Sequence, residues 1–197
     1  MTGHVLLVRH GQTDWSDTGR VQGWAPVPLN ERGHDQSKEA ALRIVSQYDV
    51  DHIISSDLQR ARETAEKIAE ATTDATFETD PAWRERDFGI YQGLDDEYLD
   101  TIDSPEGSFS EAPESGESWE EVSIRVEEAL SNLVASIENT VTVVVSHFGP
   151  IALLLGIIKE EDLGAQFKNS LPTCSIQRIE VDADGMISLN QSSTSKS

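Results

Sequence analysis

The chain has 197 residues, which is enough for one hydrophobic core, and carries 36 acidic against 15 basic side chains, for a formal net charge of -21. A field of that sign repels nucleic acid and anionic membranes, so we expect neither as a partner. The one cysteine, Cys174, excludes an intramolecular disulfide and is most simply a small buried residue. No apolar run approaches a membrane span and no signal peptide is visible, so we expect a cytoplasmic protein.

The chain opens with a short apolar run, Val5–Val8, which predicts a buried strand ending at Arg9–Gly11. The segment Gly19–Pro28 is rich in glycine and proline and predicts a loop. Asn30 is suited to cap a helix that runs to about Gln47.

A second strand is predicted at His52–Ser56, followed by a helix that Ser56 or Asp57 would cap. That start places Arg60 in the first turn of the helix. The helix carries apolar residues on one face at Leu58, Ala61, Ala65, Ile68 and Ala69.

The second half contains one excursion and two further strands. Residues 95–117 hold nine acids and no Lys or Arg, and proline and glycine break the pattern. Ser118–Glu121 forms a capping box that opens a long helix. Val141–Val145 predicts a strand ending at Ser146 and His147, with a helix beginning near Pro150, and Ser175–Val181 predicts a late strand.

These elements predict an α/β fold, a three-layer sandwich with a largely parallel open sheet and helices on both faces. We expect one catalytic domain at 1–189, with a loop-rich lid insertion at about 90–117 and a flexible tail at 190–197. Ligands of such sheets bind beyond the carboxyl ends of the strands, where His10 and His147 fall and where Arg60 follows.

The residues at these strand ends are suited to phosphate chemistry. Arg9 and Arg60 supply guanidinium forks that match phosphate oxygens. A neutral imidazole, such as that of His10 or His147, can attack phosphorus and carry the phosphoryl group. No pattern of metal ligands is visible, so we expect neither a metal nor a cofactor, and positive side chains would supply the electrostatics.

Several ordered blocks, spread over nearly the whole chain, resemble the histidine phosphatase superfamily, which includes the phosphoglycerate mutases. The blocks are Arg9–Thr13, Gly19–Gly23, Leu29–Gln36, Ser55–Ala61, Glu85–Gly89 with Gln92 and Gly93, Gly116–Ser118 with Arg125, and Val145–Gly149. The resemblance implies a phosphoglycerate mutase-like fold and an enzyme acting on a small phosphate ester.

The resemblance also implies roles for individual residues. His10 would be the nucleophile, while Arg9, Arg60 and His147 would hold the phosphoryl oxygens. Glu85 would protonate the leaving oxygen and then activate water, its proton affinity being raised by a dry pocket and lowered by the arginines. The expected substrate-binding residues are Arg9, Gly11, Ser16, Gln22, Gly23, Arg60 and Phe148.

Two positions depart from the family pattern. Ser16 stands where the family often has Asn, and its shorter side chain would reach phosphate only through water. Phe148 stands where Gly or Ala is usual, and would narrow the pocket or add an apolar wall.

Other arginines and the tryptophans need separate interpretations. Arg62 lies two residues beyond Arg60, hence on another helix face, and we interpret it as a surface or interhelical pair. Arg84 and Arg86 could compete as phosphate ligands. The tryptophans are expected to pack, with Trp15 and Trp24 as candidates for lining the pocket.

Three functions are compatible with these residues. A phosphoglycerate mutase needs further cations for the substrate carboxylate, and the stretch from Asp87 to Ile124 holds no Lys or Arg. This favours a metal-independent phosphatase that hydrolyses a small phosphate monoester with a neutral or modestly polar leaving group. A non-catalytic phosphate-binding regulatory module ranks third, because all five core residues are present. A homodimer remains an open alternative.

The excess of acidic residues suggests a halophilic host, in which surface carboxylates keep a protein in solution. We expect the melting temperature to rise as KCl is raised to molar concentration, because screening relieves repulsion among the carboxylates. Scanning calorimetry along a KCl series measures this directly. A melting temperature with no gain at molar salt would leave an ordinary acidic protein.

Overall fold

The computed structural model describes residues 2–95, 97, 99, 109–137, 139–161, 167–168 and 171–190. In chain order the elements are β1 (Gly3–Arg9), α1 (Asp14–Asp17), α2 (Glu31–Val45), β2 (His52–Ser55), α3 (Gln59–Ala71), β3 (Thr76–Thr79), α4 (Trp119–Ser136), β4 (Val141–Ser146), α5 (Phe148–Lys159), β5 (Ile176–Val181) and β6 (Ile187–Asn190). No described helix has the length and apolarity that crossing a membrane requires.

The strands form one six-stranded sheet in the order β3-β2-β4-β1-β5-β6. The first four strands of this order are parallel, and β5 and β6 are antiparallel to their neighbours. The register between β1 and β4 runs from His4 opposite Val141 to Arg9 opposite Ser146, so the two strands end side by side.

Helices cover both faces because successive residues of β1 point to opposite sides. Val5 and Leu7 pack into the cluster that contains the buried residues of α4 and α5. Leu6 and Val8 pack into the cluster formed with α2 and α3. All four side chains are fully buried, which explains the continuous apolar run. The predicted three-layer α/β sandwich is thereby confirmed.

The directions of two crossovers determine where along the sheet a ligand-binding crevice forms. The chain leaves β1 toward the face covered by α2, and leaves β4 toward the face covered by α5. Neighbouring strands whose helices go to opposite faces leave a crevice between their carboxyl ends, which is where open α/β sheets bind ligands.

Two predicted helix caps are confirmed. The Asn30 side chain accepts a hydrogen bond from Gly33 N, which closes the first turn of α2. Ser118 and Glu121 form a reciprocal capping box at the start of α4. The helix expected near Pro150 begins two residues earlier, at Phe148.

The predicted cap of α3 is wrong, since Leu58 occupies that position and makes no side-chain cap. Both expected caps have other partners. Ser56 Oγ contacts His147 Nε2 at 2.8 Å, and Asp57 pairs with Arg84 through two hydrogen bonds of 2.6 and 2.5 Å. Arg60 does lie in the first turn, as expected.

The sequence pattern did not reveal three short elements: α1, β3 and β6. All four residues of β3 are exposed, so this edge strand has no buried face to create a pattern. Asn190, expected to begin the tail, is the last residue of β6, and residues 191–197 lie outside the described part. The lid expected at about 90–117 is described only at 90–95, 97, 99 and 109–117.

Candidate active site

The carboxyl ends of β1, β4 and β2 bring three polar segments together. His10 N donates to Ser146 O at 3.0 Å, and Ser56 N donates to Val145 O at 2.9 Å. The rings of His10 and His147 lie 5.1 Å apart between centroids. Both predicted histidines therefore lie in one crevice, as the parallel strands required.

The imidazole of His10 is held in one orientation. Its Nδ1 lies 2.7 Å from Gly11 O, a carbonyl that can only accept, so Nδ1 carries the proton. Its Nε2 therefore has the lone pair, and Arg60 Nε donates toward it at 3.2 Å. Burial, followed by the charges of Arg60 and Arg9, holds the pKa of His10 well below its ordinary value. The ring is neutral near pH 7.

Arg60 is almost fully buried, and in the described part of the chain no carboxylate forms an ion pair with it. Its guanidinium donates to Gly23 O at 2.8 Å and to Ala25 O at 3.3 Å, in addition to His10. Burial is the main reason that its pKa falls to about 10, which still leaves it charged at neutral pH. The loop at Gly23–Ala25 thus holds a cation beside the nucleophilic nitrogen.

Arg9 is the second cation at the base of the site. Its Nη1 donates to Leu171 O at 2.5 Å, and its guanidinium lies 5.4 Å from the ring centroid of Phe148. The positive charge of Arg9 lowers the pKa of both His10 and His147.

His147 caps the N-terminus of α5 and is completely buried. Its Nε2 contacts Ser56 Oγ at 2.8 Å, and this hydroxyl also accepts a hydrogen bond from Leu58 N at 3.3 Å. With the serine hydroxyl as the donor to Nε2, the ring carries its proton on Nδ1, which has no hydrogen-bond partner among the described residues. Burial and the neighbouring charge of Arg60 hold the pKa of His147 well below its ordinary value.

Glu85 lies partly buried beside the N-terminus of α5. Its carboxylate accepts hydrogen bonds from Arg86 N at 2.9 Å and from Gly149 N at 3.2 Å. Burial raises the pKa of Glu85, although those two N–H groups and the charges of Arg60 and Arg9 oppose the rise. A Cβ at position 149 would approach Glu85 Oε1 to 2.3 Å, so this close contact requires glycine.

The backbone of Glu85 is held from behind by two side chains. Arg125 donates to the carbonyl oxygens of Ala82 and Arg84 at 2.9 Å and to Glu85 O at 3.3 Å, and pairs with Glu117 at 2.9 Å. Trp24 Nε1 also donates to Glu85 O, at 2.8 Å. The carboxyl group is thus held at a defined place.

These groups open into a cavity of about 320 Å³, a size suited to a small molecule. One end is polar and is lined by Arg9, His10, Arg60 and Glu85. A second wall is formed by Ser16, Arg20, Val21, Gln22 and Gly23. The remaining wall is apolar, and its residues are Phe88, Leu99, Trp119, Phe148 and Phe167.

Most of the predicted substrate-binding residues line this cavity, and Gly11 does not. Its N–H donates to Thr64 Oγ1 at 3.0 Å, and a Cβ there would approach Gly33 O to 2.6 Å. The glycine is therefore required where the segment that follows β1 packs closely against α2. Ser16 lines the cavity, but its Oγ donates to Thr13 O at 3.0 Å, while Phe148 contributes an apolar wall as expected.

The tryptophan that lines the cavity differs from the two candidates that the sequence suggests. Trp119 lines the cavity, whereas Trp15 and Trp24 are not among its lining residues. Trp24 instead packs 4.4 Å from the guanidinium of Arg84. Trp119 occupies the first turn of α4, where the core meets the site, so it both packs as expected and lines the cavity.

The competing arginines lie elsewhere. Arg62 pairs with Glu66 at 3.6 Å on the exposed side of α3, as expected. Arg84 pairs with Asp57, and this partner lowers the pKa of Asp57. Arg86 is buried, and its guanidinium lies 5.1 and 4.8 Å from the rings of Phe88 and Trp119.

Arg20 is the lining residue with the clearest chemical significance that sequence reasoning missed. It belongs to the block Gly19–Gly23, in which the sequence predicts only Gln22 and Gly23 as substrate-binding residues. Among the residues that the structure describes, no group of three or more His, Cys, Asp and Glu side chains is arranged to hold a metal ion.

Comparison with known proteins places this arrangement in a family. The sequence profile of the histidine phosphatase superfamily (branch 1) matches residues 5–192. Two probable phosphoglycerate mutases GpmB, from Proteus mirabilis and Erwinia tasmaniensis, are 35% and 33% identical over 186 residues, which are 89% of this chain and 84% of each relative. The chain belongs to the histidine phosphatase superfamily.

Solved structures of similar proteins include several phosphatases. A mycobacterial glucosyl-3-phosphoglycerate phosphatase, in complex with VO3, is 28% identical with a TM-score of 0.79, over 95% of this chain and 96% of that one. Phosphoserine phosphatase from Entamoeba histolytica, in complex with 3-phosphoglyceric acid, is 28% identical with a TM-score of 0.82, over 96% of this chain and 95% of that one.

The buried, neutral state of His10 predicts a pH dependence of folding. Its pKa in the folded protein lies below the ordinary value of 6.5, so the unfolded chain takes up a proton first as the pH falls. Stability from this residue is complete above pH 6.5 and is lost below it, at up to about 1.4 kcal/mol per pH unit. In His10→Asn, the free energy of unfolding in urea should fall less steeply below pH 6.5. His52→Asn, which removes an exposed histidine from β2, is the matched control. Equal slopes for wild type and His10→Asn would contradict the assignment.

Proposed function

We propose that this protein is a metal-independent phosphatase that hydrolyses a small phosphate monoester through a phosphohistidine intermediate on His10. The main support is the state of His10: Nδ1 is tied to Gly11 O, and Nε2 presents its lone pair beside Arg60 at the base of the cavity.

In the first step, His10 Nε2 attacks phosphorus, the N–P bond forms and the ester P–O bond breaks. An alkoxide is a poor leaving group unless it receives a proton. Glu85 supplies it, because burial raises the pKa of this carboxyl and so favours its protonated form. The alcohol then leaves as a neutral molecule.

In the second step, a water molecule attacks the phosphohistidine. Glu85, now ionised, takes a proton from that water as the new P–O bond forms and the N–P bond breaks. Inorganic phosphate leaves, and His10 returns to its neutral form with the lone pair on Nε2. The same carboxyl group serves both steps in opposite directions, and the enzyme ends in its starting state.

The charge on the transferring phosphoryl group needs fixed positive partners in a dry site. Arg9 and Arg60 supply two guanidinium groups beside His10. His147 offers Nδ1–H, a buried donor that has no hydrogen-bond partner in the described part of the chain. We assign these three side chains to the phosphoryl oxygens.

The runner-up function is phosphoglycerate mutase, the name carried by the two relatives described above. A mutase must retain a bisphosphorylated acid with a charge of roughly -4 to -5 while that molecule changes its orientation in the site. The cavity offers three guanidinium groups, from Arg9, Arg20 and Arg60, and its other wall is apolar. Arg20 weakens the sequence argument from the base-free insertion, but three cations match the charge of one phosphate ester with at most one further negative group better than the charge of the bisphosphorylated intermediate.

A regulatory module without turnover ranks third. Loss of turnover would be marked by a missing or displaced group, whereas His10, Arg60 and Glu85 are oriented by their own hydrogen bonds. The phosphatases among the similar solved structures also favour hydrolysis.

The direct test is an assay of phosphate esters in molar KCl with EDTA present, with phosphate release and isomer formation followed separately. We expect phosphate release without added metal, and its loss by at least about 1,000-fold in His10→Ala, because nucleophile removal abolishes the covalent route. His34→Ala, at the surface of α2, is the matched control. Isomer formation from 3-phosphoglycerate with little release would identify a mutase, and undiminished release by His10→Ala would refute the covalent route.

The role of Glu85 predicts a dependence on the leaving group. In Glu85→Gln, kcat for an alkyl phosphate should fall about 100-fold or more, in the range typical of general acid catalysis, because the alkoxide is no longer protonated. Hydrolysis of p-nitrophenyl phosphate should fall much less in the first step, since that leaving group departs without a proton. Steady-state and burst kinetics with both esters separate the two steps. Equal losses in the first step for both esters would rule out proton donation by Glu85.

A further inference from the structure

Arg20 differs from the two other arginines on the cavity. Arg9 and Arg60 lie at the polar end, where both act on the pKa of His10. Arg20 lies in the wall formed by residues 20–23 and has an exposed side chain. It therefore presents its charge at the solvent side of the same cavity.

The backbone of Arg20 is held in place although its side chain is exposed. Its N–H donates to Trp15 O at 2.8 Å, and it forms a β-bridge with Asp95. The next residue, Val21, exchanges two hydrogen bonds with Gly93 and Leu94, at 2.8 and 2.9 Å. The guanidinium thus extends from a braced position rather than from a loose loop.

The guanidinium of Arg20 makes no hydrogen bond or ion pair with the described part of the chain, in a protein with 36 acidic residues. Other arginines have such partners: Arg84 pairs with Asp57 and Arg125 with Glu117. Asp95, the β-bridge partner of Arg20, instead accepts a hydrogen bond from Glu97 N at 3.0 Å. An arginine on a ligand cavity without a carboxylate partner is available to an anion.

The charges of the cavity indicate which anion. Arg9 and Arg60 balance a phosphate ester, which carries about -1.5 to -2 near neutral pH. Glu85 adds little negative charge while it is protonated. The positive charge of Arg20 is then not balanced by the phosphate ester, and the remaining wall is apolar. The charge of Arg20 therefore matches one additional negative group on the leaving group of the substrate.

We propose that Arg20 binds a carboxylate on the leaving group and makes the enzyme selective for small phosphate monoesters that carry one. This inference rests on the proposed phosphatase function and replaces the neutral leaving group expected from the sequence. The planar fork of arginine matches both oxygens of a carboxylate, which a lysine would bind only as a point charge.

The test compares two esters that differ at one group: 3-phosphoglycerate, with a carboxylate, and glycerol 3-phosphate, with a hydroxymethyl group in its place. Wild-type kcat/KM should favour 3-phosphoglycerate. In Arg20→Gln, kcat/KM for 3-phosphoglycerate should fall about 10- to 100-fold, mainly through KM, as expected for the loss of a charge-assisted hydrogen bond. Glycerol 3-phosphate should change less than about 3-fold.

Arg62→Gln is the control, because it removes one positive charge from the exposed side of α3, where Arg62 pairs with Glu66. In Arg62→Gln, kcat/KM for both esters should equal the wild-type values. If Arg20 only attracted anions at long range, kcat/KM for both esters would fall in Arg20→Gln at low salt and would return to the wild-type value at high salt. That result would overturn the proposal, as would equal losses at all salt concentrations or no wild-type preference.

Binding separates this proposal from the proposed function. Calorimetry of the two esters with His10→Ala, and with the same variant carrying Arg20→Gln, measures affinity without turnover. Selective loss of 3-phosphoglycerate affinity supports the carboxylate site even if no phosphate is released in any assay. Phosphate release from p-nitrophenyl phosphate with unchanged ester affinities would leave the phosphatase standing and refute the role of Arg20.

Discussion

The burial of Arg60 is the constraint on which the site depends. A guanidinium group taken out of water must have its donors satisfied, and among the described residues no carboxylate does this for Arg60. Backbone carbonyls of Gly23 and Ala25 accept instead, which requires the loop after α1 to fold over the strand ends. The third acceptor is His10 Nε2, so the same contact orients the nucleophile and places a positive charge beside it.

Burial also sets the protonation states that the proposed chemistry needs. It disfavours charge on every group in the crevice, so the pKa of His10 and His147 falls while the pKa of Glu85 rises. A neutral nucleophile and a protonated acid can therefore coexist at one pH. The arginines reinforce the effect on the histidines and oppose it on Glu85, for which burial is the stronger influence.

The contrast between the surface and the cavity determines which ligands can be held. The chain carries a net charge of -21, yet the described residues that line the cavity include three arginines and one carboxyl group, whose pKa is raised. The apolar wall of the cavity, which includes Phe88 and Phe167, can exclude water from a small ligand. A small anion is therefore stabilised inside a protein whose overall field repels it, and screening by salt would ease its approach.

The amino-acid sequence was sufficient to predict the three-layer α/β fold and the strand ends at His10 and His147, because a buried strand leaves a continuous apolar run and parallel strands end at one edge. It also predicted that Arg60 and Glu85 belong to that edge, through blocks that the superfamily shares. Only the tertiary structure decided the cap of α3, where Ser56 and Asp57 have partners distant in sequence, and the exclusion of Gly11 from the cavity. The direction of the Glu85 pKa and the presence of Arg20 also required it, since both depend on which distant segments surround a side chain, and local patterns do not record that.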